Sequence, residues 1–230
     1  MTTRRLAPSD VFINLPFDSD YEPLFLAMIA GLVSLGLNPR SVVQIGASTD
    51  RLRRLVEIIQ ECPFSIHDLS RVQRSGQGSF RVPRFNMPFE LGLAAEVSMT
   101  ASGTTRQWRV IEAVRHRVGH SCSDVDGYNA EIHGGTVRGM CEALSNIFPD
   151  PPRAPLTDID DMLWVYRRLR QFASGCRGIS TLPARSDGSS SRRWRSSRSG
   201  RYIPDRKRPV GGDVWHHCSR WVALCRKSTT

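Results

Sequence analysis

The chain has 230 residues, room for one domain of ordinary size and an appendage. Its net charge of +10 is confined to the end: residues 1–174 carry 19 Arg against 19 Asp and Glu, whereas residues 175–230 carry 13 Arg and Lys against 3 Asp, so the basic balance of the whole chain gives no ground for reading the patterned part as a nucleic-acid binder. No run approaches the roughly 18 apolar residues of a membrane span, the N-terminus lacks an apolar leader core, and the six cysteines show no paired short spacing; the expectation is a soluble protein of a reducing cytoplasm with no membrane partner.

Val11-Phe12-Ile13-Asn14 reads as a short buried strand that stops at Leu15-Pro16-Phe17-Asp18. The spacing of Leu24, Phe25, Met28, Ile29, Leu32 and Leu35 predicts a helix over 21–35, with Pro23 in its first turn and Gly36 at its end. A second strand is predicted over 41–45. A second helix follows over 50–60, with Leu52, Leu55, Val56 and Ile59 on one face. The third strand covers 64–67 and delivers Asp68 at its end. A polar loop over 69–85 holds Gly76, Gly78 and four arginines, Arg71, Arg74, Arg81 and Arg84; ordered loops of this length are often functional.

Beyond the loop a helix over 88–97 carries Glu90 in its first turn, a fourth strand covers 108–113, and the turn His133-Gly134-Gly135 leads into a helix over 136–147. After Pro149-Asp150-Pro151-Pro152, a last amphipathic helix is predicted over 156–172, with Ile159, Met162, Leu163, Tyr166 and Leu169 inward and Thr157 or Asp158 as its cap. The alternation of strand and helix with short connections is the pattern of a parallel sheet covered by helices on both faces. The expected organisation is an α/β domain over 1–150, a helical extension over 151–174 and a disordered Arg/Ser-rich tail over 175–230. Three readings of that tail stay open: a solvated segment, a basic arm through which nucleic acid would bind, and a stretch in a changed coding frame.

Two carboxylates, Asp68 and Glu90, are brought to one rim by this pattern, and the rim outside the carboxyl ends of the strands is where open α/β sheets bind ligands. Paired carboxylates can divide nucleophilic and acid/base work at a glycosidic bond. Each also has a plain structural reading. Acidic residues are favoured in the first turn of any helix, and Asp commonly closes the turn after a strand. His67, in an apolar strand, reads as a core histidine. His116, His120 and Cys122 lack a convincing third partner, and no metal site is expected. His133-Gly134-Gly135-Thr136 reads as a helix-entry turn or, alternatively, as a phosphate cradle.

Val11-Phe12-Ile13-Asn14-Leu15-Pro16-Phe17-Asp18, then Asp68-Leu69-Ser70, then Phe85-Asn86-Met87-Pro88-Phe89-Glu90-Leu91-Gly92-Leu93-Ala94 resembles a group of bacterial TIR-like proteins and, more distantly, the nucleoside 2-deoxyribosyltransferases. The likeness covers roughly residues 11–148 and departs from the transferases at Met87-Pro88-Phe89, where they favour a small Gly-Thr turn. The resemblance implies a flavodoxin-like sheet and cleavage or transfer at an N-glycosidic bond, with NAD or a nucleoside as substrate and no resident cofactor. Glu90 matches the family's key glutamate and Asp68 an acidic position that orients sugar or base. Asn14, Pro16 and Phe17 of the first loop, with Arg84 and Asn86 ahead of the Glu90 helix, would face the ligand. It further implies a role in antiphage defence through NAD depletion, or alternatively a non-catalytic nucleotide-sensing module that forms homo-oligomers.

Overall fold

The computed structural model describes residues 9–16, 18, 20–41, 50–71, 74–75, 82–83, 85–101, 106–125, 127–151 and 158–177. Among the described residues, seven strands follow one another: β1 (Asp10–Asn14), β2 (Asn38–Arg40), β3 (Phe64–Asp68), β4 (Arg74–Ser75), β5 (Val82–Pro83), β6 (Gln107–Glu112) and β7 (Glu131–Ile132). The helices are α1 (Glu22–Ser34), α2 (Arg51–Glu61), α3 (Asn86–Thr100), α4 (Arg117–Ser121), α5 (Val137–Ile147) and α6 (Ile159–Arg177). Five strands form one sheet in the order β2-β1-β3-β6-β7, every neighbouring pair parallel. This is the flavodoxin-like order of a doubly wound α/β fold. β4 and β5 pair antiparallel as a separate ribbon inside the long loop after β3.

Successive side chains of a strand point to opposite faces, and β1 uses both. Val11 and Ile13 join Ile66 and Ile111 in a core shared with α1, α5 and α6, whereas Phe12 turns to the other face and packs with Leu55, Ile58 and Ile59 of α2 and Ala94 and Val97 of α3. Helices therefore cover both faces, as the alternation predicted.

α1 is more enclosed than an amphipathic pattern suggests, for every residue from Phe25 to Ser34 is buried. It is wedged between the sheet and the pair α5 and α6, so no face is left for water. Its end follows from Gly36 at φ 72°, which lets the Gly36 and Leu37 amides return to the carbonyls of Val33 and Leu32 at 3.0 and 2.9 Å. This pairing closes a helix through a left-handed glycine.

Two expectations meet the structure here. A strand is found over Asn38–Arg40, ahead of the stretch predicted over 41–45, of which 42–45 lie outside the described residues. Polar chemistry holds it: Asn38 Nδ2 and Arg40 reach the buried Asp10 carboxylate at 2.7 and 2.6 Å, and Pro39 is tolerated because β2 is an edge. The buried face of α2 is Leu55, Ile58 and Ile59, whereas Leu52 is 53% exposed in the first turn and Val56 is half-buried.

α6 runs to Arg177, longer than the predicted 156–172. Met162, Val165, Tyr166, Leu169 and Ala173 are buried in the main core, against α1 and α5. The Asp158 side chain accepts from the Asp160 amide at 2.8 Å, capping this helix as the sequence suggested. The tail after residue 177 lies outside the described residues.

Candidate functional site

The strand order reverses between β1 and β3, and the crevice at their carboxyl ends is the ligand-binding position of such sheets. β1 ends at Asn14, β3 ends at Asp68, and the parallel register sets Asn14 beside His67. Asn14 is buried, and its Nδ2 donates to the Met87 carbonyl at 2.9 Å and to His67 Nδ1 at 3.1 Å. An amide nitrogen carries two hydrogens, so both bonds form at once. His67 then keeps its ring proton on Nε2, which faces Ser65 Oγ at 3.1 Å. Burial pushes the His67 imidazole down to about 3, so it stays neutral and serves as a core histidine.

Through Met87, Asn14 fixes the first turn of α3, the helix that carries Glu90. That helix begins at Asn86 rather than 88, and Glu90 lies beyond its first turn. The macrodipole account of an acidic residue at this position therefore falls away. Glu90 flanks the buried row of Met87, Leu91 and Ala94, and its Oε2 is enclosed without a hydrogen-bond partner among the described residues. Desolvation pushes its carboxyl up to about 7, with the charge of Arg51 at the start of α2 acting in the opposite sense. Leaving a buried acceptor unpaired costs about 1–3 kcal/mol.

Asp68 has the opposite surroundings. It is fully buried; the Tyr21 hydroxyl donates to Oδ2, the Ser70 amide donates to Oδ1 at 2.7 Å, and His133 Nε2 stands 3.3 Å from Oδ2. His133 Nδ1 accepts from the Gly135 amide at 3.0 Å, so its ring proton sits on Nε2, facing the carboxylate but off the line of a hydrogen bond. One carboxylate thus ties the entry of α1, the exit of β3 and the exit of β7. Beside it, Glu112 at the end of β6 accepts from the Ala113 amide at 2.6 Å and from Arg117 Nε at 3.0 Å, and Arg117 in turn donates to the Ser70 carbonyl at 2.6 Å.

The predicted site residues that are described, Asn14, Pro16, Asp68, Asn86 and Glu90, are not brought into one cluster. Asn14 meets the start of α3, Pro16 is buried behind it, and Asn86 is exposed at the first position of α3. No hydrogen bond or ion pair joins Asp68 to Glu90 among the described residues. Phe17 and Arg84 lie outside the described residues, as do Gly76 and Gly78 of the long loop. Arg71, which is described, bridges from that loop to Asp18 of the first loop at 3.2 Å. His133-Gly134-Gly135-Thr136 is a helix-entry turn: Thr136 Oγ1 accepts from the Gly139 amide at 3.0 Å and caps α5.

Tyr21 and His133 are the members of this edge that sequence reasoning missed. Tyr21 was read only as a helix boundary. β7, only two residues long, gives no strand signal; a strand there would have put His133 at the same rim as Asp68. Among the described residues no three metal-ligating side chains converge, and no helix is long and apolar enough to cross a membrane. No family model matches the chain, and no curated protein matches it.

Proposed function

We propose that the protein binds a nucleotide or nucleoside at the crevice between β1 and β3 and cleaves, or transfers at, its N-glycosidic bond, with Glu90 as the reacting carboxylate. The observation that carries this reading is the enclosed, unpaired Oε2 of Glu90, with the carboxyl raised to about 7, in a helix turn fixed by the Asn14 bond to Met87. A carboxyl that titrates near the working pH can serve in either protonation state. Ionised, it would attack the anomeric carbon or stabilise an oxocarbenium-like transition state as the base leaves with the bonding pair. Protonated, it would assist departure of the base instead. Asp68 acts by position: its oxygens hold Tyr21 and the Ser70 amide, so it supports the rim rather than touching the ligand. NAD fits the substrate class, and its depletion would make defence against phage the biological setting.

The test is incubation of the full chain with NAD and a panel of ribo- and 2-deoxyribonucleosides, following released base by chromatography. Base release should fall by about 10²-fold or more in a folded Glu90→Gln variant. Activity that rises through pH 7 marks Glu90 as nucleophile or anionic stabiliser, and activity that falls marks it as acid. Unchanged turnover in Glu90→Gln sinks the proposal.

A second reading, a non-catalytic self-associating module, draws support from the outer side of α3, where Phe85, Phe89 and Met99 are 68%, 53% and 79% exposed. Exposed apolar stripes of this kind mark interaction surfaces. Concentration-dependent sedimentation without base release would favour it.

A further inference from the structure

A cavity of about 460 Å³ opens at the β7 end of the sheet, between the segment leaving β6, α4 and the segment entering β7; Glu112, Arg115, His116, Tyr128, Asn129 and Asn146 are among its lining residues. The volume lies in the range that holds small molecules. Its acidic groups are already engaged: Glu112 is held by Arg117, and Glu131 accepts from Asn146 Nδ2 at 3.1 Å. Its basic groups are not, for Arg115 and His116 are both exposed and neither has a carboxylate partner among the described residues. Arg115 and His116 therefore keep hydrogen-bond donors free for a ligand at the mouth.

Its aromatic wall is preset. Tyr128 is 58% exposed, yet its ring packs on Trp108 with centroids 4.3 Å apart. Stacking on a ring already held by another needs little further ordering. His116 adds a third feature, for it is the one non-glycine residue with positive φ among those described, at 65°. Such a conformation is strained in a residue with a Cβ, and strain of this kind gathers at functional positions.

We propose that this cavity is a second small-molecule site, for a planar aromatic ring bearing an anionic group, the chemistry of a nucleoside monophosphate. The ring lies on Tyr128, the anion meets Arg115 and His116, and the amide of Asn129 and the Oδ1 of Asn146 are available to the edges of the ring. The assignment stands on these residues alone and is independent of Glu90.

Calorimetric titration of the full chain with AMP, adenosine and inorganic phosphate tests it. AMP should bind about ten-fold or more tightly than either of the others, because only AMP engages both halves of the site. Arg115→Ala and Tyr128→Ala should each weaken AMP by about ten-fold. His116→Gly removes the imidazole and relieves the strained φ, so it should weaken AMP without lowering Tm, which separates lost contact from lost fold. Arg167→Ala, on the exposed side of α6, controls for general charge and should leave binding as it was. Absence of AMP binding, phosphate or adenosine binding as tight as AMP, or full affinity in both Arg115→Ala and Tyr128→Ala overturns the proposal. Affinity lost with Glu90→Gln but kept with Tyr128→Ala would put AMP at the β1/β3 crevice and overturn it equally.

Discussion

The Tyr21 hydroxyl donates to a carboxylate that no solvent reaches. Tyr21→Phe keeps the ring and removes that donor, which should cost about 1.5–3 kcal/mol, the worth of a hydrogen bond to a charged group, read as a lower midpoint in urea with unchanged slope. A variant as stable as the parent would mean that Ser70 and His133 suffice for Asp68. Two other residues work against each other with pH. His67, held neutral with its titration pushed from 6.5 to about 3, favours the unfolded state as pH falls below 6.5, because only the unfolded chain takes up the proton. Glu90, raised from 4.5 to about 7, does the reverse: its contribution is full below 4.5 and is lost as pH rises through 7, because the folded form holds a proton that the unfolded form has released. Between pH 4.5 and 6.5 the two slopes oppose each other. Glu90→Gln removes one, so stability of that variant should climb more steeply with pH across this window, by about 1.4 kcal/mol per pH unit relative to the parent. Urea melts of both proteins at pH 5 and pH 6 measure the difference, and parallel slopes would refute it.

At the scale of the element, the turn from β7 into α5 depends on a single absent side chain. A Cβ on Gly139 would lie 2.1 Å from the His133 carbonyl oxygen and 2.8 Å from Thr136 Oγ1, so the helix can sit this close to the turn only with glycine there. The neighbour is backbone and cannot swing away. Gly139→Ala should therefore destabilise by about 1–3 kcal/mol through overpacking and move His133 off Asp68, visible as a shifted His133 ring resonance as well as a lower Tm. An unshifted resonance at parental Tm would show that the turn yields freely. The same element shows where the sequence was readable. Long periodic stretches such as α5 and α6 announced themselves because burial on one side of a helix writes a repeat into the chain, and the apolar runs of α1, β1 and β3 did the same for the buried centre of the fold. β2 and β7 did not. Their hold comes from Asp10 with Asn38 and Arg40 in one case, and from pairing to β6 in the other, and neither leaves an apolar pattern. For the site, Asp68 and Glu90 could be assigned to one rim from strand and helix ends. Their separate surroundings could not, because Tyr21 and His133 arrive from distant parts of the chain, and only the three-dimensional arrangement engages one carboxylate and leaves an oxygen of the other unpaired.

Across the whole molecule, α6 is the last element of the described fold. Its buried side is part of the main core, whereas the charge excess and the loss of apolar periodicity begin where it ends. A chain ended after Arg177 should melt within a few degrees of the full length and be more soluble at low salt. A chain ended before Asp158 should unfold or aggregate, since it uncovers α1 and the inner side of α5. Differential scanning calorimetry of the two truncations decides this, and a large loss of Tm in the longer one would make the basic tail a structural element.

The packing of α1 also sets an order in time. Its ten-residue buried run, Phe25 to Ser34, leaves the ribosome early, yet part of its cover is α6, which is not complete until Arg177 has been added. At ordinary rates of translation the interval between Ser34 and Arg177 lasts roughly 7–30 s. Throughout that interval the most apolar helix of the protein lacks its final cover, and cooperative closure of this face waits for a segment near the far end of the fold. The newborn chain thus presents a chaperone, or another newborn chain, with a surface that the finished protein never exposes.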